Sequence, residues 1–287
     1  MTSALLTWFE GRRDRYPWRR IADPYAVLVS EVMLQQTQAA RVAPHFERFM
    51  ARFPHVGSLA EARRSDVVRE WDGLGYNRRA VSLSEAARAI VREHGAIVPS
   101  EPMALRSLPG VGPYTAAAVS SIAFGVPVAA VDTNARRVVA RVRGGIEASS
   151  LDPREIDRLA QQWLAPDAPG DHNQAVMDLG RECCRPVPRC DACPLMATCR
   201  SAFRVPRARP ARRRAVDAFD GSTRQLRGAV VRALRGRRRS LASLSSITGV
   251  ELERVHAAVA SLARDGVVSA GPSALRAAPS GIVRLAG

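Results

Sequence analysis

Apolar residues recur at three-and-four spacing along most of the chain, the period of a helix that buries one face. The pattern runs through "DPYAVLVSEVMLQQTQAARVAPHFERFMARF" (23–53), "SDVVREWDGL" (65–74), "RRAVSLSEAARAIVREHG" (78–95), "ALRSL" (104–108), "PYTAAAVSSIAFG" (113–125), "NARRVVARV" (134–142) and "PREIDRLAQQWL" (153–164). Alternation at period two, the mark of a half-buried strand, is not found before residue 200. Turn clusters such as "FPHVGS", "GLGYNRR", "PGVGP" and "DAPGDH" separate the periodic stretches. An all-α fold with short connections is expected.

Past residue 200 the pattern changes. "FRVPRARPARRRAVDAFDGSTR" is rich in Arg and Pro and has no period, so it reads as a basic linker. "RQLRGAVVRALR", "SLASLSSITGV" and "ELERVHAAVASLARDGVVSAG" then give three short helical patterns, followed by Gly- and Val-containing segments suited to a small hairpin. That order resembles a winged-helix module. The plainer alternative is a helical appendage packed on the main domain.

Composition narrows the partners. The chain has 287 residues, 46% of them apolar, enough to bury two or three compact units. Its 43 basic against 27 acidic side chains leave a net charge of +16, which points to nucleic acid ahead of an acidic membrane surface. Every basic residue is Arg, so no lysine is present to form a Schiff base or act as a lowered-pKa base. No stretch has the apolar core of a signal peptide or the length to span a bilayer. A soluble cytoplasmic, nucleoid-associated protein with no membrane partner is expected.

The most specific chemical signal is the cysteine spacing. All five cysteines fall in "CCRPVPRCDACPLMATC": Cys183-x6-Cys190-x2-Cys193-x5-Cys199, or the same run begun at Cys184 with x5. A disulfide framework would spread its cysteines along a short secreted chain, so a metal site is the better reading. Zinc sites usually pair two C-x2-C knuckles across a longer gap. A compact run of four with one short knuckle suits a [4Fe–4S] cluster better.

Three further features are weaker alone. In "LPGVGPYT", Gly110 and Gly112 permit a tight turn whose backbone N–H groups can approach an anion. It reads equally well as a plain helix-to-helix turn. Asp132 closes "VPVAAV" just before "TNARRVVARV" and reads as an N-cap, whose N–H donors favour a carboxylate. Such a fixed carboxylate can also stabilise a cation that develops during a reaction. Glu31 shares a helical-wheel face with Gln35 and Gln38, and pattern alone favours a solvated polar face for it.

Together, "PWRRIADPYAVLVSEVMLQQTQ", "GLGYNRRA", "LPGVGPYTAAAV", "AVDTNARRVVARV", "HNQAVMDLG" and the cysteine cluster, in this order, resemble the helix-hairpin-helix base-excision glycosylases, and within them the MutY-type adenine DNA glycosylases. The likeness covers roughly residues 3–200. It implies two all-helical subdomains, 1–24 plus 131–200 with the cluster and 25–130 with the hairpin; the basic linker at 201–222 and the winged-helix-like region at 223–287 are read from the residue pattern alone. It implies that Glu31 is the general acid protonating N7 of adenine. Asp132 then stabilises the oxocarbenium-like sugar, while Tyr114 and Asn134 position these groups and the attacking water. It places Gln36 and Tyr76 as wedges near the opposite base, and Arg19, Leu34, Thr37 and Gln174 at or near the base pocket and wedge. Gln174 stands where relatives often carry Glu.

By the same resemblance Leu108, Pro109, Gly110, Val111, Gly112 and Thr115 form the phosphate-gripping hairpin. The cluster ligands are Cys184 (or Cys183), Cys190, Cys193 and Cys199. Counting along the preceding helix favours Cys184, because shortening a loop by one residue disturbs less than turning a helix end by about 100°. Strand-cutting relatives carry a catalytic Lys where this chain has Tyr114, so a monofunctional glycosylase that leaves an abasic site is expected.

The region 201–287 does not read as the Nudix-like domain through which family members recognise 8-oxoguanine. The expected partners are duplex DNA containing a mispair or damaged base, bound by a monomer, and downstream abasic-site repair enzymes. A thymine or uracil glycosylase acting opposite guanine and a non-catalytic lesion-binding protein are the competing readings. Deleting residues 201–287 is expected to lower affinity or opposite-base discrimination more than the chemical step.

Overall fold

The computed structural model describes residues 1–205 and 221–287. From the N-terminus, α1 (Thr2–Glu10) and α2 (Pro24–Leu34) lead to α3 (Ala39–Arg52), α4 (Val56–Glu61), α5 (Arg64–Glu70) and α6 (Arg78–His94). A tight turn joins α7 (Pro102–Ser107) to α8 (Pro113–Phe124). Then come α9 (Thr133–Val139), α10 (Pro153–Trp163) and α11 (Pro169–Glu182), followed by the cysteine loop. The C-terminal region holds α12 (Thr223–Ala233), β1 (Arg239–Ser240), α13 (Leu241–Thr248), α14 (Leu252–Arg264), β2 (Val268–Ala270), α15 (Pro272–Leu275) and β3 (Ile282–Leu285). Its three strands form an antiparallel sheet in the order β1-β3-β2. The basic linker expected at 201–222 lies outside the described residues except at its two ends.

The all-α expectation holds, and among the described residues the strands are confined to the C-terminal region. Two local details differ from the sequence reading. The 23–53 stretch is not one helix: α2 ends at Leu34, and Gln38 is the N-cap of α3. The turn signal at "FPHVGS" runs into the start of α4, which opens with a capping box between His55 and Ser58. No helix among the described residues is long and apolar enough to cross a membrane.

By compactness the chain forms two units, Met1–Glu31 with Val98–Ala211, and Val32–Ile97 with Arg212–Gly287. This grouping differs from the boundaries read in the sequence. In the first unit Leu5 and Phe9 of α1 pack with apolar faces of α9, α10 and α11. Two close approaches set the helices. A Cβ on Gly170 would meet Ile122 Cα at 2.8 Å, and one on Gly180 would meet Asn134 Cβ at 2.8 Å.

In the second unit one core cluster joins the two segments of the chain. Val68 of α5 and Val81 of α6 are buried with Leu226 and Val230 of α12, Leu244 of α13 and Val255 and Leu262 of α14. The C-terminal region therefore packs on helices of the N-terminal half, as an appendage would, while keeping a sheet of its own.

Candidate active site

Glu31 sits on α2, a helix apolar on nearly every face. The sequence pattern favours a solvated position for it, and the structure corrects this: Glu31 is 5% exposed. A buried carboxyl needs a partner. Tyr114, in the first turn of α8, donates its hydroxyl to Glu31 Oε2 at 2.9 Å and lies 3.3 Å from Met177 Sδ. Burial raises the Glu31 pKa to about 7, with Asp132 pushing the same way and the Tyr114 hydrogen bond and Arg19 pulling it back. Burial and the two carboxylates also hold the Tyr114 phenol well above its ordinary range, so it stays a neutral donor.

Asp132 is an N-cap, as its place in the sequence predicts. Its Oδ1 accepts from Ala135 N at 2.6 Å and its Oδ2 from Asn134 Nδ2 at 3.2 Å. The extended segment before it is pinned by the buried Asn173 of α11, which accepts from Ala130 N and donates to Ser121 Oγ and Val128 O. Asn134 Oδ1 in turn accepts from Arg137 Nη2 at 2.9 Å, and Arg137 donates onward to the carbonyls of Cys184 and Gly180, both at 2.7 Å. A hydrogen-bonded chain thus runs from Asp132 to the cysteine loop. Sequence reasoning missed Arg137, because the signal is only one Arg among many.

Arg19 makes a bidentate ion pair with Asp178 of α11, at 2.6 and 2.9 Å, and stacks over Phe9 and Tyr16. Its guanidinium is thereby held rigidly, with both partners almost fully buried. Gln174 is half-buried on α11, on the face that carries Asp178 one turn later.

The hairpin is a tight turn closed by Val111 N donating to Leu108 O. Gly110 has φ +77, a conformation that favours glycine. Leu108, Val111 and Thr115 are buried beneath it, whereas Pro109 and Gly112 are half-buried and Gly110 is exposed. Pro113 opens α8 without needing a donor of its own. The turn therefore presents backbone rather than side chains.

All five cysteines are free and line one cavity with Val142, Pro188 and Met196. Among the described residues no three His, Cys, Asp or Glu side chains are grouped to hold a single metal ion. A mononuclear site needs ligands converging on one point, whereas a cubane takes one thiolate at each iron corner. Arg141, 3% exposed, donates to Glu147 Oε1 at 2.9 Å and reaches toward Cys184 Sγ at 3.8 Å. A buried cation beside thiols suits a site whose thiolates ionise on binding. The donor set fits a cluster. Cys183 Sγ, by contrast, points to Ala192 O at 3.5 Å.

In the second unit, Gln36, Thr37 and Tyr76 line a separate cavity of about 490 Å³. Gln36 and Tyr76 both adopt left-handed backbone, at φ +55 and +46, which costs a non-glycine residue about 1–3 kcal/mol. Arg79 holds them there. It donates to the carbonyls of Val32, Met33 and Gln35 through Nη1, and to Thr37 Oγ1 and the carbonyls of Leu74 and Gly75 through Nη2. Its guanidinium also lies over Trp71 and Tyr76, and burial lowers its pKa to about 10. Leu34 is half-buried at the end of α2, two residues before this turn.

Comparison with known proteins places this geometry. Residues 29–166 match the family described as HhH-GPD superfamily base excision DNA repair protein. The chain is 44% identical over 214 residues to the adenine DNA glycosylase of Homo sapiens, covering 70% of this chain and 39% of that protein. It is 39% identical over 234 residues to the adenine DNA glycosylase of Mycolicibacterium smegmatis, covering 80% and 79%. It thus spans about two fifths of the mammalian relative and most of the mycobacterial one. Among solved structures, a thermostable thymine-DNA glycosylase superposes with a TM-score of 0.65 at 31% identity, covering 71% of this chain and 95% of that one.

Proposed function

The chain belongs to the HhH-GPD superfamily of base excision DNA repair proteins, and on that premise we propose that it is a monofunctional glycosylase acting on adenine mispaired with 8-oxoguanine or guanine. The base must first leave the stack. Glu31, with a pKa of about 7, carries a proton in a useful fraction of molecules at neutral pH. It delivers that proton to the adenine ring, and the protonated base departs more readily. Asp132, fixed by the Ala135 backbone N–H and the Asn134 amide, faces the positive charge that develops on the sugar. Tyr114 and Asn134 hold the two carboxyls in place. With no lysine to capture the sugar, water completes the reaction and an abasic site remains for downstream repair enzymes.

Cys184, Cys190, Cys193 and Cys199 would hold a [4Fe–4S] cluster, which when bound would cross-link the loop that Arg137 joins to Asn134. Arg141 beside Cys184 supports that residue over Cys183. The net charge of +16 supports a duplex DNA partner.

The observation that carries the proposal is the buried Glu31 beside Tyr114, because release of a pyrimidine does not need ring protonation at N7. The likeness to a thymine-DNA glycosylase keeps the thymine or uracil reading as the second one. Single-turnover base release, revealed by hot alkali, separates them. Release from adenine:8-oxoguanine or adenine:guanine duplexes, lost in Glu31→Gln and in Asp132→Asn, is the expected result. Release of only thymine or uracil opposite guanine would move the protein to the second reading. Tight binding without release would make it a lesion-binding protein.

A further inference from the structure

The cavity bordered by the cysteines is also bordered by a buried hydroxyl that the proposed function leaves unused. Ser201 lies two residues past Cys199, is 3% exposed and lines that cavity. Its Oγ is closed off from solvent and has no hydrogen-bond partner among the described residues. Leaving a buried hydroxyl unpaired costs about 1–3 kcal/mol. A group of this kind calls for an acceptor that the polypeptide does not itself supply.

The neighbouring donors indicate the acceptor. The backbone N–H of Leu195 hydrogen-bonds to the sulfur of Cys193, and those of Ser201 and Ala202 to the sulfur of Cys199. Arg141 Nη1 reaches toward Cys184 Sγ at 3.8 Å. Donors are thus gathered on the cysteine sulfurs, an arrangement that suits thiolates carrying negative charge. The other hydroxyl of the cysteine loop is placed differently. Thr198 is exposed, does not line the cavity, and donates its Oγ1 to Leu195 O at 3.4 Å.

We propose that the Ser201 hydroxyl donates a hydrogen bond to a sulfur of the iron–sulfur cluster on the side held by Cys199, and that this bond raises the cluster's reduction potential. The inference rests on the cluster reading above. An electron added to a cluster falls partly on its sulfurs, and a hydrogen bond to sulfur strengthens as the charge there grows. A donor therefore favours the reduced form, and hydrogen bonds to the sulfurs are one of the means by which a protein sets such a potential. Burial makes the effect larger than it would be in water, because little solvent is present to replace the lost donor. The hydroxyl gains an acceptor in the same step, which removes the cost of leaving it unpaired.

The test is protein-film voltammetry on the full-length protein, after iron and acid-labile sulfide have been counted in each sample. The counts decide whether the cluster is present, and the potential decides what Ser201 does to it. Ser201→Ala and Ser201→Gly both remove the hydroxyl, so either one suffices if the other loses its cluster. Each is expected to shift the reduction equilibrium toward the oxidised form by about tenfold, a fall of ~59 mV for one electron. Ser201→Thr, which keeps the hydroxyl, should restore the wild-type potential, and Thr198→Val should leave it unchanged. In resonance Raman spectra the shift of the iron–sulfur stretches on transfer to D2O should be smaller in Ser201→Ala than in the wild type. Equal potentials in the wild type and the hydroxyl-free variants, at equal cluster content, would overturn the proposal. A wild type without iron and sulfide would overturn it together with the cluster reading.

Discussion

Burial of Glu31 sets a thermodynamic sign as well as a chemical one. Its pKa in the fold is about 7 against an ordinary 4.5, so between those values the folded state holds a proton that the unfolded state has lost. Stability therefore falls as pH rises from about 4.5 to about 7, and above that the ionised side chain costs about 3 kcal/mol. Glu31→Gln is expected to abolish base release yet raise the melting temperature at pH 8 more than at pH 4.5, which thermal unfolding at the two pH values checks. In the wild type, the single-turnover rate should fall about tenfold per pH unit above about 7, as the acid form is lost. Glu31 was hard to place from the sequence for a physical reason. Its neighbours Val27, Leu28, Val32 and Met33 are buried around the whole helix, so a wheel drawn on α2 has no dry side against which to find a wet one. Asp132 was legible because an N-cap is a local device, decided by the three residues that follow it.

At the scale of elements, the site depends on α9 lying tightly on α11. Gly180 makes that approach possible and also offers its carbonyl to Arg137. Gly180→Ala would drive a Cβ into Asn134 and Val138, and should destabilise the fold by about 1–3 kcal/mol. Because Asn134 is the residue displaced, base release should fall in the same variant, even at temperatures where it remains folded. Arg137→Ala would strand the acceptors on Cys184, Gly180 and Asn134 at about 1–3 kcal/mol for each buried one. The expected outcome is slower base release together with faster loss of the visible absorbance of an iron–sulfur cluster under a chelator. The hairpin and the cysteine spacing were readable because each lies within a short run of sequence. The chain from Asp132 through Arg137 to Cys184 spans about fifty residues, and no local pattern marks it. Arg79 was missed likewise, since its acceptors lie both upstream and beside it in sequence.

At the scale of the whole molecule, the uncertain question was where one compact unit stops. The apolar faces of α12, α13 and α14 were legible, but periodicity says that a face is buried and not what buries it. The structure supplies the partner. Val68 and Val81, from helices 145 or more residues upstream, close the same core as Leu226, Val230 and Leu262. A chain cut at residue 200 would uncover both valines, and burying each fully is worth about 1.5–3 kcal/mol. It would also remove Arg235, which forms an ion pair with Asp72 beside the Tyr76 cavity. Truncation should therefore lower the melting temperature and expose apolar surface to a hydrophobic dye, besides weakening DNA binding. An independently folding module would behave otherwise: its loss would leave the melting temperature of residues 1–200 where it was and reduce only affinity. Comparing the two chains by thermal unfolding before any activity is measured therefore decides whether the C-terminal region is a tethered DNA contact or a structural part of the unit that holds Tyr76.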